Sequence, residues 1–175
     1  MTLKPGPRTL ALTAHIIASV GWLGAVVASL ALGVVGLVRD DPLDVRSAYR
    51  SLEALGWYAL VPFSVASLLT GLVSSLGTTW GLFRHYWVVV KLVINVVATV
   101  VLLLYMRTLE TLADLAATMS PEGDLTGLQS PSPVLHAGVA LVLLVAATVL
   151  GMYKPKGLTR YGWRRQQERR LAPQA

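Results

Sequence analysis

Tyr86-Trp-Val-Val-Val-Lys91-Leu-Val-Ile-Asn95-Val-Val-Ala-Thr99-Val-Val-Leu-Leu-Leu-Tyr105-Met106 is a run of 21 residues containing one charge. At 1.5 Å per residue it makes a helix of about 30 Å, the thickness of a bilayer's hydrocarbon core. Three more runs have the same character: Leu10 to Val38, Leu55 to Gly77 and Val134 to Met152. All four are rich in Leu, Val and Ala, and none alternates apolar with polar positions, which disfavours a β-barrel. Only 14% of the chain is charged and 54% is hydrophobic, against about 25% charged in soluble domains. The sequence therefore predicts an all-α polytopic membrane protein, a four-transmembrane-helix bundle. It reads as one domain over 1–175, with helices at about 10–38, 55–77, 86–106 and 134–152 and a basic tail from 154 to 175.

The chain has no cysteine, which excludes disulfides, thiolate metal sites and Cys-x-x-Cys redox chemistry. Lys4 and Arg8 before the first run resemble the start of a signal peptide. The run itself, 29 residues against about 7–15 for a signal core, predicts an uncleaved membrane helix.

Charge sorts between the ends of the segments. The N-terminal tail, the link between the second and third segments and the C-terminal tail hold ten basic residues and one acid, Glu168. The other two loops hold four basic residues and eight acids. The positive-inside rule then places both termini in the cytoplasm of a bacterial plasma membrane. The basic tail, with Tyr153, Tyr161 and Trp163 interleaved, follows a membrane helix directly, so its expected partner is anionic lipid rather than nucleic acid. Trp57, Tyr58 and Tyr105 fall near the outer border, and Trp80, Tyr86, Trp87 and Tyr153 near the inner one, as interfacial aromatics do. Trp22 lies about 18 Å into the first segment, at mid-membrane.

Residues 39–54 open with Arg-Asp-Asp-Pro and then place Leu43, Val45, Ala48, Leu52 and Leu55 at helical spacing. This predicts a short amphipathic helix on the outer surface. Residues 107–119 prolong the third helix, whereas 120–133, rich in Pro and Gly, read as irregular. Pro62 predicts a kink in the second helix. Small residues four apart, Gly21 with Ala25, Gly24 with Ala28, and Ser67, Gly71 and Ser75, permit close helix approach in lipid. Packing within the bundle is the plain explanation and homo-oligomer formation the sharper one.

Lys91, Asn95 and Thr99 lie at i, i+4 and i+8, one polar stripe expected to face the bundle interior. No acid lies in any of the four runs. Lys91 either snorkels toward the headgroups or stays inside, in which case an intramembrane charge marks a functional site. His15 falls at similar depth on the first helix, with Ser19 and Trp22 on the same face, so His15 and Lys91 can share a site. A neutral imidazole there is either a hydrogen-bonded packing residue or an axial haem ligand. His136, near the other end of the fourth segment, is too far away to sandwich the same haem. His85 is an interfacial residue close to the depth of His15.

The run His15-Ile-Ile-Ala-Ser-Val-Gly-Trp22-Leu-Gly resembles the first helix of the copper-resistance D-like membrane superfamily, and His85-Tyr-Trp-Val-Val-Val-Lys91-Leu resembles its Lys-Leu helix. With the Gly77-to-Trp87 link and the Tyr153-Lys-Pro-Lys-Gly exit, the whole chain is similar to a family of uncharacterised bacterial four-helix membrane proteins. Relatives in the superfamily include haem-containing protoporphyrinogen oxidases and proteins assigned to copper import. The resemblance implies that haem b is the cofactor, with His15 its iron ligand and Lys91 a propionate partner or base; spacing adds Trp22, on the His15 face, and Asn95, on the Lys91 stripe, as candidate cofactor contacts. The last segment differs from the oxidases, having His136 and Thr148 as its polar side chains and no Arg, Asn and Glu-Pro set. Met1, Met106, Met119 and Met152 do not form a copper-ligand spacing.

Three readings follow. The first is a small membrane protein binding haem or a similar anionic cofactor in the cytoplasmic half of the bundle. The second is a non-enzymatic partner or scaffold subunit, and the third a solute or ion conduit lined by Lys91, Asn95, Thr99 and Ser67.

Overall fold

The computed structural model describes residues 4–77, 81–118 and 127–171. Helix α1 (Pro5–Val38) begins on prolines, whose fixed φ suits a first turn, and so starts before the apolar run at Leu10. Asp41 caps α2 (Pro42–Leu55), its carboxylate accepting from the Leu43 N–H at 2.8 Å, the usual service of an acid at that position. A π turn, Gly56–Leu60, carries α2 into α3 (Val61–Leu76). There the Val61 N–H reaches back to the Gly56 carbonyl, so the irregularity expected at Pro62 takes the form of a widened turn just before it. Helices α4 (Tyr86–Thr118), α5 (Ser132–Tyr153) and α6 (Arg160–Leu171) follow.

Four helical spans, α1, α2 through α3, α4 and α5, are long and apolar enough to cross a membrane. The protein is a multi-pass, all-α bundle with no strand among the described residues. Its outer surface fits that setting. Ile17 and Val20 of α1, Val93 and Leu104 of α4, and Val142 of α5 point outward, while small residues such as Ala18, Ala25, Ser29, Gly33 and Gly36 of α1 point inward. In lipid, close backbone approach of this kind replaces the hydrophobic drive. Gly21 shows the geometry: a Cβ there would stand 2.8 Å from the Phe63 ring. Gly24 does not take part in packing within the bundle. It faces outward with open space around it, and Ala28 is exposed beside it.

Residues 39–54 depart from the expected surface helix. α2 is amphipathic, yet the centre of its apolar face is buried: Val45, Tyr49 and Leu52 pack with Met106, Leu109, Ala116 and Leu128, while Leu43 at its start stays exposed. The wall that makes this possible is the extension of α4 past the apolar run, to Thr118. Tyr49 donates its hydroxyl to the Leu128 carbonyl, fastening α2 to the segment before α5. Met119, Glu122 and Asp124, together with Met1, Thr78, Thr79 and Trp80, lie outside the described residues.

The opposite, basic end is closed by backbone pairing. Lys154 leaves α5 in a left-handed conformation, φ 43°, and turns the chain back along the α3–α4 link. His85 forms an antiparallel bridge with Leu158, the Tyr86 N–H donates to the Gly157 carbonyl at 3.3 Å, and the Thr159 N–H to the Arg84 carbonyl at 3.0 Å. Thr159 then caps α6, accepting from the Gly162 N–H at 3.1 Å. The tail therefore starts with a fixed strap and an ordered helix, where the sequence shows only basic charge. On α6, the Tyr161 hydroxyl and Glu168 beside it hold the Arg165 guanidinium above its ordinary value.

Candidate functional site

Because successive spans run in opposite directions, the starts of α1 and α4 meet the ends of α3 and α5 at the basic end. Between them is a cavity of about 260 Å³. Arg8 and His15 reach it from α1, Ser67, Gly71 and Ser74 from α3, Lys91 and Asn95 from α4, and Gly151 and Lys154 from the end of α5. The structure thus brings His15, Lys91 and Asn95 to one place. Trp22 is not there. It is buried seven residues deeper along α1, about 10 Å at helical rise, and lines a different cavity. Thr99, next in the polar stripe, is buried but does not line this cavity either.

The His15 ring is fixed against α3. Its Nδ1 lies 3.1 Å from the Ser67 carbonyl and 3.3 Å from Thr70 Oγ1, while the Thr70 hydroxyl donates to the Ala66 carbonyl at 2.6 Å. A carbonyl only accepts and the Thr70 proton is already engaged, so Nδ1 carries the imidazole proton and Nε2 keeps its lone pair. That arrangement suits a ligand or an acceptor, since ligating histidines use the other ring nitrogen in the same way. Gly71 makes room for it, because a Cβ there would sit 3.0 Å from His15 Cε1. One turn deeper, Ser19 and Ser67 share a hydroxyl–hydroxyl bond of 2.9 Å.

Lys91 is half-buried and packs over Gly151, where a Cβ would come within 2.8 Å of Nζ. The ion pairs among the described residues, Arg39 with Asp44 and Arg165 with Glu168, do not involve it. Among the described residues no carboxylate lines the cavity, whereas Arg8 and Lys154 add two further basic side chains. Two buried polar atoms in the lining, Ser74 Oγ and Asn95 Oδ1, have no hydrogen-bond partner among the described residues. Buried polar atoms are normally paired, so these two mark places for a bound group or water. The cavity is positive, with polar groups from each helix around it and no negatively charged side chain among the described residues.

Several participants were not legible beforehand. Arg8 and Lys154 read as orientation signals, and Ser74 and Gly151 carry no motif at all. Their role appears only when α5 is docked beside α4. His85 stays at the basic end, stacked obliquely near Trp87 at 6.4 Å between ring centres. His136 lies at the far end, against Tyr105. Met106 is buried among α2 and α4 residues, and Met152 is exposed at the other end of the bundle. Among the described residues, no three His, Cys, Asp or Glu side chains gather as a metal site would need.

The fold and the cavity together define a four-span helical membrane protein with a cation-lined cavity at its basic end. No family model, no curated protein and no solved structure matches the chain.

Proposed function

We propose that this protein holds an anionic ligand at the cytoplasmic end of its bundle, in a plasma membrane, with both termini in the cytoplasm. The observation that carries the reading is the cavity lining: half-buried Lys91, with exposed Arg8 and Lys154 at the rim and, among the described residues, no carboxylate. A cation kept from water needs a counter-charge, and here it is supplied by the acid group of the ligand, a carboxylate or phosphate. Asn95 and Ser74 bond its polar atoms, and His15 Nε2 offers a lone pair. The strap at 154–159 and α6 hold the mouth near the headgroups, where the arginines attract anionic lipid at about 1 kcal/mol each.

Haem is the particular anion that the family resemblance implies. The donor set suits it in part, with one imidazole nitrogen and basic groups for propionates. The volume does not: about 260 Å³ falls below the roughly 300–1,000 Å³ of sites for drug-sized ligands, so the cavity takes an acid-bearing edge and not a whole macrocycle. The test has two arms. In detergent, the purified protein should gain thermal stability from phosphate or a small carboxylate, and Lys91→Met should lose that gain; no gain from any anion would overturn the reading. An absorption spectrum after haem-sufficient expression tests the macrocycle separately, through a Soret band lost in His15→Ala.

A second reading, a membrane partner or homo-oligomer, is favoured by one observation, the outward small face at Gly24 and Ala28. Gly24→Leu should then dissociate a cross-linkable assembly in membranes, and an assembly unaffected by it argues against this reading.

A further inference from the structure

A second cavity, of about 390 Å³, lies in the other half of the bundle. It is lined by Trp22 and Val26 of α1, Ala98 and Leu102 of α4, and Ala137 and Ala140 of α5, among other apolar residues. Among the described residues no charged side chain lines it, and its polar groups are the Ser29, Tyr105 and His136 side chains and the indole N–H of Trp22. Ser29 is already engaged, donating to the Ala25 carbonyl at 2.9 Å. Trp22 can only donate, so acceptor capacity is concentrated at one end, where the Tyr105 and His136 rings stack at 3.8 Å and 15°.

Ser132 holds that stack. The Tyr105 hydroxyl and Ser132 Oγ are 3.1 Å apart, and His136 Nδ1 lies 2.9 Å from the Ser132 carbonyl. As at His15, a carbonyl partner puts the ring proton on Nδ1 and leaves Nε2 as an acceptor. The cavity thus offers a long apolar wall ending at an acceptor nitrogen. Within the apolar part of the cavity a charged headgroup finds no counter-charge among the described residues and would be desolvated at high cost. The ester groups of ordinary two-chain phospholipids cannot donate to Nε2. A volume near the lower end of the range for small-molecule sites suits one slender body.

We propose that this cavity binds a neutral lipid headed by a hydroxyl group, its apolar body lying between α4 and α5 and its hydroxyl donating to His136 Nε2. The site is independent of the anion cavity, and Lys91 variants leave it unchanged.

Trp22 supplies the reporter. In a variant with Trp57, Trp80, Trp87 and Trp163 changed to Phe, Trp22 fluorescence is followed in lipid nanodiscs while a brominated long-chain alcohol, its methyl ether or the matching carboxylic acid is added. The alcohol should quench saturably and bind about tenfold more tightly than the ether, the worth of one hydrogen bond in apolar surroundings. His136→Leu should erase that preference, and Ala140→Leu, which fills the cavity, should abolish saturable quenching. Quenching that rises with membrane content alike for all three probes means that bulk lipid fills the crevice, and overturns the proposal. So does an alcohol preference that survives His136→Leu. If the four-fold variant does not fold, photolabelling of the unaltered protein by a diazirine-bearing alcohol serves instead. Adducts mapping to residues 133–143, and weaker for the ether, are expected; labelling elsewhere overturns the proposal.

Discussion

Replacing Lys91 by Met should move stability and ligand binding in opposite directions. At a bilayer centre an unpaired lysine costs about 2.5–3.5 kcal/mol. Lys91 stands five residues from the start of α4, roughly 8 Å, and opens on a cavity, so the relief is on the order of 1 kcal/mol in the ligand-free protein. Met keeps the length of the stem and its contact with Gly151, adding no cavity. Binding should behave oppositely, because a hydrogen bond to a charged group contributes about 1.5–3 kcal/mol, so anion affinity falls by roughly 10–150-fold. At a hundredfold excess over Kd an anion stabilises the native protein by about 2.7 kcal/mol, or roughly 5–10 °C at this chain length. The assay is thermal unfolding in detergent across a phosphate series at constant ionic strength. The reasoning fails if Lys91→Met unfolds at lower temperature without anion, or if it keeps the full anion-dependent gain.

Gly151→Ala tests the same amine without removing it: its Cβ would lie 2.8 Å from Nζ, and the flexible stem can yield, so stability should change little while the anion-dependent gain shrinks. Gly21→Ala, whose Cβ meets the Phe63 ring at 2.8 Å, should destabilise by about 1–3 kcal/mol through overpacking, read as a lower midpoint with no change in anion response. Tyr49→Phe leaves the Leu128 carbonyl without its buried donor and should cost about 1–3 kcal/mol, with loosening seen as faster amide exchange in α2. The cysteine-free chain lets orientation be read with single cysteines: an impermeant maleimide added to intact cells should label Ser130→Cys and spare Arg164→Cys.

The spans were readable because a lipid-facing helix is apolar all round, and length alone then decides whether it crosses. The outer end was harder. α2 has the spacing of a surface helix, and although residues 107–119 read as a prolongation of the third helix, nothing local shows that this extension folds back to receive Val45, Tyr49 and Leu52. α6 was hidden for a different reason. Its residues are basic on every side, so no periodicity marks it, and Thr159 became a cap only through its bond to the Gly162 N–H. Within the site, Lys91 and Asn95 were visible because polar groups stand out in an apolar run, and His15 because its depth could be counted. Depth cannot separate two cavities on one helix. Trp22 shares a face with His15 by spacing, yet the helix crossing assigns them to different halves of the bundle. Arg8 and Lys154 carried two messages at once, orientation and charge for the cavity, and only the packed bundle distinguishes the second.

The central claim is that the cavity beside Lys91 is an anion site, and locating an anion there tests it directly. Crystals soaked in selenate, a heavy analogue of phosphate and sulfate, report its position by anomalous scattering. The account predicts an anomalous peak over the Lys91 amine, between Asn95 and Gly151, that vanishes in Lys91→Met. A peak confined to the arginines of α6, or one unchanged by that substitution, would contradict it.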